Sequence, residues 1–172
     1  GYEYIPYATI DPEAVVCCSP SKAFNTAGLQ TANIVCPDTG TRNLIDRSIN
    51  ENEVCDINPF GVVALEAAYN DGGEWLDALN NYLEDNYRYL RETLGSAFPQ
   101  LRICDSQATY LAWIDIRPLC ISSDNLDKLL RKNGKVHINS GTMYAGDGYI
   151  RINYACPRLR LAEALRRMTG IL

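Results

Sequence analysis

The sequence predicts an α+β chain on three observations. Two short apolar, β-branched runs, Ala14-Val15-Val16-Cys17-Cys18 and Ala32-Asn33-Ile34-Val35-Cys36, flank a turn near the start. A long helical pattern follows, in which Leu76, Leu79, Leu83, Tyr87, Leu90 and Leu94 recur at spacings of three and four and so share one face. Small strand-like runs mixed with helical segments then fill the C-terminal part, with no internal repeat. Residues 40–172 thus read as α+β, joined to the last strands of a sheet that began earlier.

The bulk composition narrows the function classes. The chain has 172 residues, 47% hydrophobic and 22% charged, which suits a globular chain of about one domain with a real core. A net charge of −5 lacks the basic footprint of a nucleic-acid binder. Arg158, Arg160, Arg166 and Arg167 fall on a C-terminal helical pattern, where they oppose the helix dipole as a solvated face. No apolar run reaches the ~18–20 residues of a membrane span, so none is expected. The opening Gly-Tyr-Glu-Tyr-Ile-Pro has neither a basic nor an apolar signal region. Seven scattered Cys, none in a Cys-x-x-Cys pair, and a single histidine, His137, support neither a metal site nor a disulfide framework. Reduced cysteines, acting as small core residues in a cytoplasmic protein, are the expectation.

The elements follow in order. Strands are expected over about 14–18 and 29–36, and Pro37-Asp38-Thr39-Gly40 should break the second. Residues 41–56 read as polar and irregular, with room for one short helix. Asn58-Pro59 is an N-cap followed by proline at the first helical position, opening a helix to about Tyr69 that Asp71-Gly72-Gly73 stops. The strongest helix spans 74–94, with Glu84 and Arg88 paired on its outer face and Gly95 and Pro99 ending it. Leu101–Ile103 and Thr109–Ile116 read as strands, the second apolar on both faces and hence well buried. Ser122 or Ser123 caps a helix over 124–132, closed by Asn133-Gly134. Val136–Ile138 and Tyr149–Tyr154 are the last strands, and a helix over 158–169 follows Pro157.

Two residues stand out chemically. Lys22 lies in Ser19-Pro20-Ser21-Lys22, a turn at the end of an apolar strand. An ordinary lysine there is solvated, whereas a desolvated one becomes a nucleophile. Ser19-x-x-Lys22 also matches the box of penicillin-binding proteins, and Ser123-Asp124-Asn125 their second box. No Lys-Thr-Gly follows, and Pro20 and Gly28 bracket a turn where that motif opens a helix, so this reading is set aside. His137, a lone histidine in a strand, reads as structural. Arg151, inside Tyr149-Ile150-Arg151-Ile152-Asn153-Tyr154, cannot shed its charge and needs a partner. That partner is either an acidic side chain of the chain itself or the carboxylate of a substrate.

Taken together, Ser19-Pro20-Ser21-Lys22-Ala23-Phe24-Asn25-Thr26-Ala27-Gly28-Leu29-Gln30 resembles the cofactor-lysine motif of fold-type I pyridoxal-phosphate enzymes, the aminotransferase class I/II superfamily. Within it the chain looks like the MalY/PatB-type cystathionine β-lyases (C–S lyases). Asn58-Pro59-Phe60-Gly61, Trp75-Leu76-Asp77-Ala78-Leu79, Thr109-Tyr110-Leu111-Ala112-Trp113 and the terminal Gly146-Asp147-Gly148-Tyr149-Ile150-Arg151-Ile152-Asn153-Tyr154 fall in that family's order. Many aminotransferases carry arginine eight residues after the lysine to grip the cofactor phosphate. Gln30 stands there in this chain, which favours the lyase branch.

The resemblance implies a C-terminal half. Residues 1–56 would be the remnant of the large α/β cofactor domain, and 57–172, with the helix 74–94, the small α+β domain. It implies pyridoxal 5'-phosphate held covalently at Lys22, Ser19 and Ser21 on the cofactor phosphate, and Arg151 on the substrate α-carboxylate. The reaction implied is β-elimination from an amino acid to pyruvate, ammonia and a thiol. The full-length enzyme would be a cytoplasmic homodimer acting on a small amino acid, with no metal, nucleic acid or membrane involved. The segment alone is expected to be inactive. An aminotransferase using the same Lys22 and Arg151, and a non-catalytic folded domain, are the alternatives.

Overall fold

In the computed structural model, which describes residues 3–172, the first strand pair forms where the apolar runs predict it. β1 (Val16–Cys18) lies antiparallel to β2 (Asn33–Val35), with Cys17 opposite Ile34. The intervening segment makes one 3₁₀ turn at Ala27–Leu29 and leaves it through Gln30 in the left-handed region, φ 52°. Strand alternation turns Cys17 outward, so the expectation of core cysteines holds for Cys36 alone; Cys17, Cys55 and Cys120 are exposed.

α1 (Thr39–Glu51) occupies much of the stretch that reads as irregular. β2 ends at Val35, ahead of Pro37-Asp38-Thr39-Gly40 as expected, and Asp38 then opens the helix. Its carboxylate accepts from Thr41 N at 2.6 Å and caps the helix, and this contact holds its pKa below the usual carboxylate range. None of its residues is buried, so α1 carries only a thin stripe of half-buried Thr41, Ile45 and Ile49 as a periodic signal. α2 (Pro59–Asp71) begins as predicted, with Asn58 accepting from Phe60 N and Pro59 in the first turn.

α3 (Gly73–Ala97) runs through Gly95, three residues past its expected end. A glycine costs a helix only about 1 kcal/mol relative to alanine. The buried Leu90 and Leu94 before Gly95 and the buried Phe98 after it outweigh that cost, and Pro99 sets the stop.

By contacts the chain divides into two compact units, Gly1–Ala78 and Leu79–Leu172. The second holds a four-stranded antiparallel sheet of β3 (Arg102–Ile103), β4 (Leu111–Asp115), β5 (Asn139–Ser140) and β6 (Tyr149–Asn153), in the order β3-β4-β6-β5. Ala112 and Ile114 of β4 and Ile150 and Ile152 of β6 point into the core. There they meet Leu90 and Leu94, together with Leu126 of α4 (Ser123–Leu129) and Leu161, Leu165 and Met168 of α5 (Arg158–Thr169). The intervening Leu111, Trp113, Tyr149 and Arg151 therefore face the other way, and β4 is less completely buried than its apolar sequence suggests.

Ser122 caps α4, accepting from Asn125 N, and the helix widens into a π turn over Leu130–Gly134. The strand expected at Val136–Ile138 is not paired; only Asn139–Ser140 bonds to β6. Val136 and Ile138 still bury their side chains, so the alternation foretells burial and not pairing. At the other end of β6, the buried Asn86 of α3 donates from Nδ2 to the carbonyls of Tyr154 and Cys156, both at 2.9 Å.

Candidate active site

The turn after β1 is built by its own main chain. Phe24 N donates to Pro20 O and Thr26 N to Ser21 O, folding residues 20–26 back on themselves over the buried Pro20. Ser19 Oγ donates to Thr31 O at 2.8 Å, and Ser21 Oγ lies against Ser19 Oγ. Ser19 has a single hydroxyl proton and spends it on Thr31, so Ser21 is the donor in the serine pair. Ser21's proton is thus released by rotating its own hydroxyl, while Ser19's secures the turn to the main chain.

Lys22 follows the pair and is exposed, with no acidic partner among the described residues. Desolvation is therefore not what distinguishes it; a free primary amine beside two hydroxyls is.

Two close approaches brace this turn within the first unit. Phe24 stacks on Trp75, centroids 5.5 Å apart, and Gly72 lets it do so: a Cβ at Gly72 would stand 2.4 Å from the Phe24 ring. The buried Gly61 of α2 lies against Thr31, where an added Cβ would be 1.9 Å from Thr31 Oγ1. Asn58-Pro59-Phe60-Gly61 thus seats α2 against the strap that holds Ser19.

Arg151 belongs to the second unit, on the solvent-side face of the central strand β6, opposite Trp113 of β4 and Asn139 of β5. Its Nη2 donates to Asn139 Oδ1 at 3.2 Å, and its guanidinium carbon stands 4.3 Å from the Tyr144 ring centroid. Its Nε is buried and has no hydrogen-bond partner. No carboxylate pairs with Arg151 among the described residues, so the acidic partner that its place in a strand suggested is not there.

His137 is exposed, with Nδ1 3.5 Å from Asp127 and Nε2 3.3 Å from Arg131, in keeping with a structural role. It and Arg151 both line a cavity of about 540 Å³ between the β5–β6 edge and α5. Cys156 also lines it; burial pushes that thiol's pKa up, against the opposing pull of Arg160.

Around Arg151 the sheet carries a cation–aromatic row. Arg117 lies over Tyr149 at 5.2 Å, Tyr149 stacks on Trp113 at 5.5 Å, and Trp113 meets Tyr144 edge-on at 6.1 Å. Arg117 also holds the buried Asp115 carboxylate below its usual pKa through a paired contact at 2.9 and 2.6 Å. The sequence does not single out Trp113, Asn139 or Tyr144. Alternation places Trp113 on the face of Arg151, but the pairing of Asn139 with Arg151 depends on strand register, and Tyr144 arrives from a loop.

The profile of the family Aminotransferase class I and II matches residues 3–168. Cystathionine beta-lyase PatB of Bacillus subtilis (strain 168) is 35% identical over 178 residues, covering 100% of this chain and 46% of its own length. A pyridoxal-phosphate-bound aminotransferase candidate from Clostridium difficile 630 is similar in structure, with TM-score 0.94 and 37% identity over 99% of this chain and 46% of that one. The pyridoxal-phosphate-bound C–S lyase from Staphylococcus hominis gives a TM-score of 0.87 and 34% identity over 100% of this chain and 45% of that one. The chain spans under half the length of each of these relatives.

Proposed function

The chain belongs to the aminotransferase class I and II family, and from that premise we propose that it is part of a pyridoxal-phosphate-dependent C–S lyase of the cystathionine β-lyase kind. The observation that carries this reading is the Ser19–Lys22 turn, an exposed primary amine beside two hydroxyls that a neighbouring strap holds in place.

These residues fit the cofactor. An aldehyde is captured by a free amine, and Lys22 offers one. A phosphate monoester needs hydrogen-bond donors, which Ser21 provides by rotating its hydroxyl and Ser19 by giving up Thr31 O. The bound cofactor supplies an electron sink for negative charge developing at the substrate Cα.

The chain's own residues do the rest. Lys22 Nζ would hold the cofactor and, when released from it, would accept the substrate Cα proton as general base. Arg151 binds the substrate α-carboxylate. The buried, unpartnered Nε supports this role, because a guanidinium binds a carboxylate best through two parallel N–H groups. Fixing the carboxylate would align the Cα–H bond for cleavage. The β-thiolate would leave and take up a proton as the thiol, and water would hydrolyse the released enamine to pyruvate and ammonia.

Lys22→Ala in the full-length enzyme should abolish pyruvate release from L-cystathionine; turnover that survives would overturn the assignment. The isolated 172 residues should release none. An aminotransferase with the same two residues is the second reading, favoured by the Clostridium difficile relative. It predicts amino transfer that depends on a keto acid and no pyruvate release from cystathionine.

We further propose that the assembled enzyme is a cytoplasmic homodimer, with residues 1–56 ending its cofactor domain and 57–172 forming its small domain. No helix among the described residues is long and apolar enough to cross a membrane. Sedimentation of the full-length protein tests the dimer.

A further inference from the structure

Arg151 is held only by neutral groups. An amide oxygen, Asn139 Oδ1, accepts from Nη2, and the face of Tyr144 covers the guanidinium at 4.3 Å. Neither neutralises the charge, and the buried Nε–H is left open. In the same unit Arg88, Arg91, Arg117, Arg131, Arg166 and Arg167 pair with carboxylates, whereas Arg158 lies over the Tyr89 ring at 4.8 Å; what sets Arg151 apart is that its Nε is buried and unpartnered. We propose that Tyr144 and Asn139 are positioning residues, which fix the plane of Arg151 while keeping its charge unspent for the carboxylate of an amino-acid ligand. The proposal rests on the carboxylate-binding reading of Arg151 given above.

The loop that carries Tyr144 is built to hold one position. Ser140 caps it through Thr142 N, and Gly146 N closes on Gly141 O at 2.9 Å. From α4, Asp124 accepts from Thr142 Oγ1 at 2.8 Å and Ser123 Oγ from Gly148 N at 2.9 Å. Trp113 buttresses the ring edge-on and fills the space beside Gly146, where an added Cβ would lie 2.6 Å from its Cζ2. The Tyr144 face is therefore set by the backbone around it. A ring in that position attracts the cation without offering it a counter-charge. Asn139 matters for what it lacks: the isosteric aspartate would occupy Arg151 with a local ion pair and compete with the ligand.

The test compares two ligands of the full-length, cofactor-loaded enzyme, read by the change in cofactor absorbance. L-Alanine has the α-carboxylate; ethylamine has the amine alone. Tyr144→Leu should raise the L-alanine Kd about fivefold, the equivalent of ~1 kcal/mol for a partly exposed cation–π contact. Tyr144→Phe, which keeps the ring, should stay within about twofold. Asn139→Asp, which preserves shape, should raise the Kd tenfold or more, as expected when ~1.4 kcal/mol of binding is lost. Ethylamine should bind all three variants like the parent, which also reports that they are folded. If Arg151→Ala leaves L-alanine binding unchanged, the underlying carboxylate reading is wrong. If Arg151→Ala weakens L-alanine but Asn139→Asp and Tyr144→Leu do not, the positioning proposal alone is overturned. Equal weakening of both ligands would assign these residues a merely structural part and overturn it too.

Discussion

Asn86 offers the sharpest test of what holds β6 in place. It is fully buried on α3, and its Nδ2 donates to both Tyr154 O and Cys156 O at 2.9 Å. Its Oδ1 is buried without a partner, so turning the amide over would set an oxygen against two carbonyls and is disfavoured. Asn86→Ala removes two hydrogen bonds, each worth about 0.5–1.5 kcal/mol net, and takes from Cys156 O its side-chain donor at a further cost of about 1–3 kcal/mol, whereas Tyr154 O still accepts from Cys156 N at 2.9 Å. Removing the unpartnered Oδ1 returns part of this, and we expect a net loss of about 2–4 kcal/mol. For a unit of this size that lowers the unfolding midpoint by about 10–20 °C.

Asn86→Asp separates the hydrogen-bond account from simple packing. The protonated acid can still donate to one carbonyl, whereas the carboxylate faces both with nothing to give. Its folded-state pKa is therefore raised above the unfolded value. The stability retained at acid pH is then lost as pH rises through that raised value. Chemical denaturation of parent and both variants, followed by circular dichroism from about pH 4 to 8, reads these differences. A loss below about 1 kcal/mol for the alanine variant would refute the reasoning. So would an aspartate variant whose deficit against the parent shrinks as pH rises.

Two further outcomes follow from the same kind of geometry. Gly61→Ala should destabilise the first unit by about 1–3 kcal/mol in denaturant titrations, despite alanine's better helix propensity, because its Cβ would intrude on Thr31. Adding Thr31→Ala should recover part of the loss. Glu163, chelated by Arg166 and Arg167, has its carboxyl pKa lowered to about 2. Its stabilising contribution is complete above the ordinary carboxylate range and fades as pH falls toward that value. NMR titration of the side-chain carboxyl should show the low midpoint, and Arg166→Gln with Arg167→Gln should return it to the usual range.

The sequence is most readable where one residue decides the local structure. Asn58-Pro59 fixes the start of α2, and the leucine periodicity fixes the face of α3, because capping and amphipathicity act over a single turn. It misleads where two devices share the same residues. Pro37-Asp38-Thr39-Gly40 does end β2, but Asp38 there also caps α1, which buries too little to announce itself. Gly95 resembles a stop, but tertiary burial carries α3 past it. In the candidate site, Lys22 stands out through the motif around it and Arg151 as a charge inside an apolar strand. The partners of Arg151 do not, because Asn139 reaches it across strands and Tyr144 through a braced loop. Sequence logic asks for an acidic partner for a strand arginine, and the fold answers with neutral ones.

β6 has one further consequence. Ile150 and Ile152 are core residues, and Arg151 between them faces outward, so one three-residue segment serves both hydrophobic packing and the proposed carboxylate contact. A methyl group gained or lost behind the strand would then be expected to shift the guanidinium in front of it. Evolution can therefore adjust ligand preference from the rear of the sheet, without touching a residue that meets the ligand. Selection on binding would leave its record among buried isoleucines, where a survey of surface positions alone would miss it.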